Sequence, residues 1–219
     1  VDHIRGTSVN VGEVQSSVEN LFAGHAHQLA LPSLHVVYTV PPYLKVLHPG
    51  VSRLYSPGGV QMLQAVKVRE QEETRDPSKP GLDLVEQVVR ARGDWERLLG
   101  TRERLDRLVL ASGGHLRDLL GIISELLRRA DHLPVDDSAV EESIGQVRSE
   151  FLPIADEDAA WLRRIAETGE ASLGSIELLP QLARFLDTRL VLCYRNGNDW
   201  YDVHPLIRDE VLAQGNGGP

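Results

Sequence analysis

The residues best placed to do chemistry are Ser112-Gly113-Gly114 and, three positions on, Arg117. They open the stretch 108–129, LVLASGGHLRDLLGIISELLRR. Leu116, Leu119, Leu120, Ile123, Leu126 and Leu127 recur at helical spacing, so a helix with one buried face is expected after the turn. Arg117 then falls in the first helical turn. Free N–H groups and the helix dipole already carry partial positive charge there and favour an acid. A cation at that place calls for an anion opposite it. With two glycines that admit close backbone approach, Gly113, Gly114 and Arg117 describe a half-built phosphate site. The plainer reading is an arginine left in solvent or paired with its neighbour Asp118.

The rest of the chain supplies the elements that would hold this turn. Val1–Ile4 reads as the end of a strand, and the chain begins on valine, the mark of a fragment. Val14, Val18, Leu21, Phe22, His25 and Leu29 fall at helical spacing up to Pro32. Residues 34–40 (LHVVYTV) form a β-branched run stopped by Pro41-Pro42, and residues 60–68 (VQMLQAVKV) form another. Strand, helix and buried strand together predict a βαβ unit and a parallel sheet. The proline-bearing, charged run 71–81 (QEETRDPSKPG) marks a boundary. Helices are expected through 82–151, with Thr101 capping one and Ser138 to Glu141 forming a capping box for another. Further helices are expected over 156–168 and 180–187. A hairpin is expected around Asn196-Gly197-Asn198, and a short helix from Pro205. Helix, helix and hairpin in that order read as a winged helix. The fold class is therefore α/β plus all-α. It comprises a partial parallel αβα sheet (1–75), a helical segment (76–152), a C-terminal winged helix (153–213) and a disordered tail (214–219).

SGGHLRDLL resembles the sensor 2 helix in the lid of AAA+ and STAND-type P-loop ATPases, where a glycine-rich turn and an arginine-bearing helix point at the γ-phosphate. The resemblance implies roles for other residues. Asp2 matches the Walker B aspartate that holds Mg²⁺ through water. Thr39 matches the polar sensor 1 position at the end of its strand. Residues 60–68 match the last strand of the nucleotide-binding sheet. Arg5 and Arg53, both in expected loops, are candidates for an arginine finger acting on a neighbouring subunit of an oligomer. Asp2 also reads as a strand-end cap, and Thr39 as an ordinary β-branched strand residue. Two departures stand out. No G-x-x-x-x-G-K-[ST] loop occurs, so the cradle for the β- and γ-phosphates is missing. His3 follows Asp2 where many relatives carry the glutamate that activates water.

Composition narrows the rest. No run of about 18 apolar residues occurs to span a membrane. The single cysteine, Cys193, excludes an internal disulfide, and a cytoplasmic location is expected. The eight histidines do not cluster at ligand spacing, so no metal site follows from them. Eleven acids against six arginines over 156–210 leave that segment at −5, which argues for packing on a protein or on domains outside this chain rather than on DNA. The expected function is that of the C-terminal portion of an AAA+/STAND-type ATP-binding protein. It would use ATP/ADP and Mg²⁺ as a nucleotide-dependent switch or ATPase, inactive without an upstream Walker A segment. The rival is a non-enzymatic winged-helix adaptor or transcriptional regulator.

Overall fold

The computed structural model describes residues 11–31, 33–55, 59–171 and 173–214. These divide into two compact units, one of the described residues up to 63 with 173–188, the other of residues 64–171 with 189–214.

The first unit holds helix α1 (Val11–Glu19), a π-helical turn at Asn20–Gly24, and short helices α2 (Ala26–Leu29), α3 (Tyr43–Leu47) and α4 (Val51–Leu54). A 3₁₀ turn at Ile176–Leu178 leads into α11 (Leu179–Asp187), which packs on α3. Val18, Phe22, Tyr43, Leu44, Val51 and Ala183 form its core, with Tyr38 and Val40 against them. Tyr38 and Tyr55 donate their hydroxyls to the carbonyls of Leu29 and Phe22 at 3.0 and 2.7 Å.

The expected parallel αβα sheet is absent among the described residues. Residues 34–40 and 60–68 enter no strand, and the sheet present among the described residues is a two-stranded antiparallel hairpin. The protein is mostly helical. A β-branched run needs a neighbouring strand to satisfy its backbone, and the described residues supply none for 34–40. Tyr38 and Val40 instead pack on the helical core, while Val37 is left 93% exposed.

The second unit runs through α5 (Lys79–Arg90), α6 (Trp95–Leu99), α7 (Arg102–Ala111), α8 (Leu116–Arg129), α9 (Asp137–Ser149) and α10 (Asp156–Thr168). It then takes up β1 (Val191–Asn196), β2 (Asn198–Val203), a 3₁₀ turn at Pro205–Ile207 and α12 (Arg208–Gln214). Caps set the helix starts. Asp94 Oδ1 accepts from Arg97 N at 3.0 Å, Thr101 Oγ1 from Arg104 N at 3.4 Å, and Asp136 Oδ1 from Ala139 N at 2.9 Å. The cap of α9 is thus Asp136, two residues ahead of the expected Ser138. Leu105, Leu108, Val109, Leu119, Ile122, Leu126, Val140, Leu162, Ile165 and Ile207 are fully buried. The helices and hairpin of the expected winged helix all exist, divided between the two units. Helix α11 belongs to the first unit, whereas α10 and the hairpin pack together in the second.

Two glycines fix the turn between α7 and α8. Gly113 and Gly114 have φ of +59° and +73°, which residues with a Cβ adopt at a cost. A Cβ on Gly114 would lie 2.0 Å from the Val66 carbonyl oxygen. Gly114→Ala is therefore expected to lower stability by about 3 kcal/mol or more, since unsuitable φ and a backbone clash act together. A denaturant midpoint within error of wild type would show that the turn is not packed as described.

Candidate functional site

Successive residues on a helix are set about 100° apart, so neighbours in the first turn of α8 face different surroundings. Leu119, Ile122 and Leu126 face the core, and Asp118 and Glu125 are buried with them. Leu116 and Leu127, expected on the buried face, are 36% and 57% exposed. The buried face is therefore turned by about one residue from the expected one. Asp118 is drawn in and Arg117 is sent out to solvent.

Burying a carboxylate costs several kcal/mol unless it is paired and hydrogen-bonded. Asp118 meets that demand with two hydrogen-bonding partners and one close imidazole contact. Arg189 Nη1 donates to Oδ1 at 2.5 Å. His204 Nε2 lies 3.2 Å from Oδ2, and His115 Nδ1 approaches the same oxygen at 2.7 Å. His204 is fully buried, and its Nδ1 accepts the Leu206 N–H at 3.2 Å, so Nε2 carries the proton it donates to Asp118. Phe151 closes the cluster. Its ring lies 4.7 Å from that of His204, and the Arg189 guanidinium sits 5.5 Å from its centre. Burial by itself would raise the Asp118 carboxyl, but the contacts from His115 and His204 and the Arg189 charge overcome it and hold the group well below the usual carboxylate range. Burial pushes His204 below its ordinary value despite the neighbouring carboxylate.

The glycine turn itself is occupied by the fold. Gly113 O accepts the Tyr194 hydroxyl at 2.7 Å and Gly114 O accepts Val66 N at 3.1 Å. Gly113 N and Gly114 N point back to the carbonyls of Leu110 and Val109 at 3.2 and 3.4 Å. Both glycines are buried, so the expected phosphate-holding role of Gly113 and Gly114 does not fit their backbone groups. Arg117 is different. Its side chain has no ion pair among the described residues, and the N–H groups of Leu116 and Arg117 meet no acceptor there. The alternative of an Arg117–Asp118 pair is removed, because Asp118 is engaged elsewhere.

Thr39 is exposed and in no strand, and Arg53 is exposed on α4; both belong to the first unit, whereas Arg117 belongs to the second. Asp2 and Arg5 lie outside the described residues. Among the described residues no group of three His, Cys, Asp or Glu side chains could hold a metal ion, and no helix is long and apolar enough to cross a membrane. A shallow cleft of about 180 Å³ lies at the far end of α8, lined by Arg129, Asp131, His132, Asp136 and Glu142 among others. It is a helix length away from Arg117.

A second buried carboxylate, Asp202, closes the hairpin onto the loop before α5. Arg75 Nε donates to Oδ2 at 2.8 Å, and Arg208 Nη1 to Oδ1 at 2.6 Å. The Arg75 guanidinium also lies 5.2 Å from the centre of the Trp200 ring. Sequence reasoning missed the buried ionic roles of Asp118, Arg189, His204 and Asp202. An acid in a first helical turn is the one local signal for Asp118. Two of its three partners stand 71 and 86 positions away, where no spacing rule reaches.

Comparison with known proteins adds no relative: no protein-family model, curated protein or solved structure matches the chain.

His204 sets a pH dependence with a definite sign. Its folded-state value is depressed, so below about 6.5 the unfolded chain takes up a proton at this position more readily than the folded one. Stability is expected to fall as pH drops from 7 toward 5, and to fall less steeply in His204→Gln, which keeps a side-chain amide near Asp118. Denaturant midpoints at pH 7, 6 and 5 check this, and equal slopes in both proteins would detach His204 from the effect.

Proposed function

We propose that this chain is the lid-bearing portion of a nucleotide-dependent switch of the AAA+/STAND kind. Helix α8 presents Arg117 to the terminal phosphate of ATP held on a phosphate loop that this sequence does not contain. The observation that carries the reading is the state of Arg117. It is an exposed cation at the N-terminus of a 14-residue helix, and the one acid beside it is fully committed to Arg189 and the two histidines. The helix end adds the free N–H groups of Leu116 and Arg117. ATP differs from ADP by the γ-phosphate, so a guanidinium placed there makes a charge-assisted contact with one nucleotide and not the other. The reading draws on the helical part alone, and no nucleotide-binding sheet within this chain is assumed.

Mg²⁺ belongs to the proposal through Asp2, and Arg5 and Arg53 belong to it as arginine fingers in an oligomer. The compartment is the cytoplasm. The segment from Asp156 onward carries net negative charge and is read as packing on protein rather than on DNA.

Two outcomes are expected. The 219-residue chain by itself should not turn over ATP, because positioning of the phosphates supplies most of phosphoryl-transfer catalysis and the loop that does it is missing. Phosphate release above buffer background, co-eluting with the chain, would overturn this. In the full-length protein, Arg117→Ala should cost about 1.5–3 kcal/mol, roughly 10- to 150-fold, in affinity for a non-hydrolysable ATP analogue. ADP affinity and melting temperature should stay nearly unchanged, as befits an exposed side chain. Calorimetric titration of both nucleotides decides it. Equal losses for the two, or no loss for either, would remove Arg117 from the site and leave the adaptor reading.

A further inference from the structure

We propose that Asp118 is the joint through which a phosphate bound at Arg117 is communicated to the C-terminal hairpin. The inference rests on the nucleotide reading of Arg117. Arg117 and Asp118 are consecutive in the first turn of α8, one facing solvent and the other facing the core. A first turn has fewer internal hydrogen bonds than the rest of a helix, so it is the part that yields most readily.

What Asp118 holds gives the joint its reach. Arg189 stands two residues before β1, and His204 directly follows β2. One carboxylate therefore ties down both the entry and the exit of the hairpin, at 2.5 and 3.2 Å. Each tether is conditional on the carboxylate. Arg189 sits at φ +63°, a conformation that a non-glycine residue keeps only when its surroundings reward it, and the bond to Asp118 is that reward. His204 also accepts the Leu206 N–H and so caps the 3₁₀ turn that leads into α12. Phe151, wedged against both partners, adds a third element that feels any shift.

An ATP phosphate that draws Arg117 outward turns the first turn of α8 and carries Asp118 with it. Arg189 and His204 sit on a different part of the chain and do not follow, so their contacts lengthen. Buried charged hydrogen bonds weaken steeply with such displacement, and the hairpin ends and the Pro205–Ile207 turn loosen. ADP lacks the phosphate that pulls and leaves the joint closed. The switch is discrete because the carboxylate has either its full set of partners or an unsatisfied buried charge.

Amide hydrogen exchange on the full-length protein tests this, with a non-hydrolysable ATP analogue and ADP as the probes. The analogue, and not ADP, should change protection across residues 189–207 by about tenfold, within the usual range of coupling between two sites. Asp118→Asn should keep its affinity for the analogue within about threefold and lose the exchange response. Should Asp118→Asn not fold, Arg189→Gln decides instead, since that side chain is 31% exposed and its loss leaves Asp118 two imidazole neighbours. If the analogue does not bind, or Arg117→Ala weakens both nucleotides alike, the nucleotide reading falls and this inference with it. If binding depends on Arg117 but residues 189–207 do not respond, or if the variants keep the response, the inference alone is overturned.

Discussion

A carboxylate with almost no access to water sets the geometry of the helical unit. Asp118 is 5% exposed, and a charge so placed is tolerable only with partners at bonding distance. Besides His115 in the same turn, two partners come from far along the chain, one before the hairpin and one after it. Satisfying Asp118 therefore does three things at once. It fixes the rotation of α8, brings both ends of the hairpin to that helix, and places Phe151 against the Arg189 and His204 side chains. Asp202 repeats the device on the other side of the hairpin with Arg75 and Arg208. The hairpin is thus held by two ionic clusters in addition to the stack of Tyr194 on Trp200 at 4.6 Å.

This arrangement divides the front of α8 into two functions. The Ser112–Gly114 turn is spent on packing, its carbonyls taken by Tyr194 and Val66 and its glycines pressed against neighbours that leave no room for a side chain. What remains for an external ligand is Arg117 and the first amides of the helix. A glycine-rich turn before a helix is ambiguous for this reason. Glycine admits a close phosphate, and it equally admits a close protein backbone. Here Val66 O stands where a ligand would have to come.

Much of the helical structure is legible in the sequence. Helices over 82–89, 95–99, 102–111, 116–129, 156–168 and 180–187 follow from apolar spacing and caps, and Asn196-Gly197-Asn198 marks the hairpin turn. Each of these signals is local, and local chemistry decides them. What the sequence hides is non-local. Residues 34–40 read as a buried strand because β-branching reports a preference for a pleated surface, yet a strand exists only where another strand meets it. The inward face of α8 is misread for the mirror-image reason. Counting leucines places Leu116 and Leu127 inside, whereas the charges of Asp118 and Glu125, once paired, outweigh them. Glu125 finds Arg128 and Arg129. Of the candidate site, Arg117 can be seen from its place in a first turn. Arg189 and His204 cannot, because nothing in the order of residues tells which distant cation will reach a given acid.

The stretch that leads into the helical unit is joined to it mainly through its main chain. Ala65 N donates to Cys193 O and Val66 N to Gly114 O, both at 3.1 Å, and Val68 O accepts Ser78 N at 2.9 Å. A seam made of amides and carbonyls is indifferent to most side chains, since every residue except proline carries the donor it needs. The identity at position 66 is free to drift while its place in the fold stays put, whereas Ala65 also packs on the cluster of Leu192, Tyr194 and Trp200. Descent in this part of the protein would accordingly be preserved in the path of the backbone and in the exclusion of proline, long after the letters themselves had ceased to match.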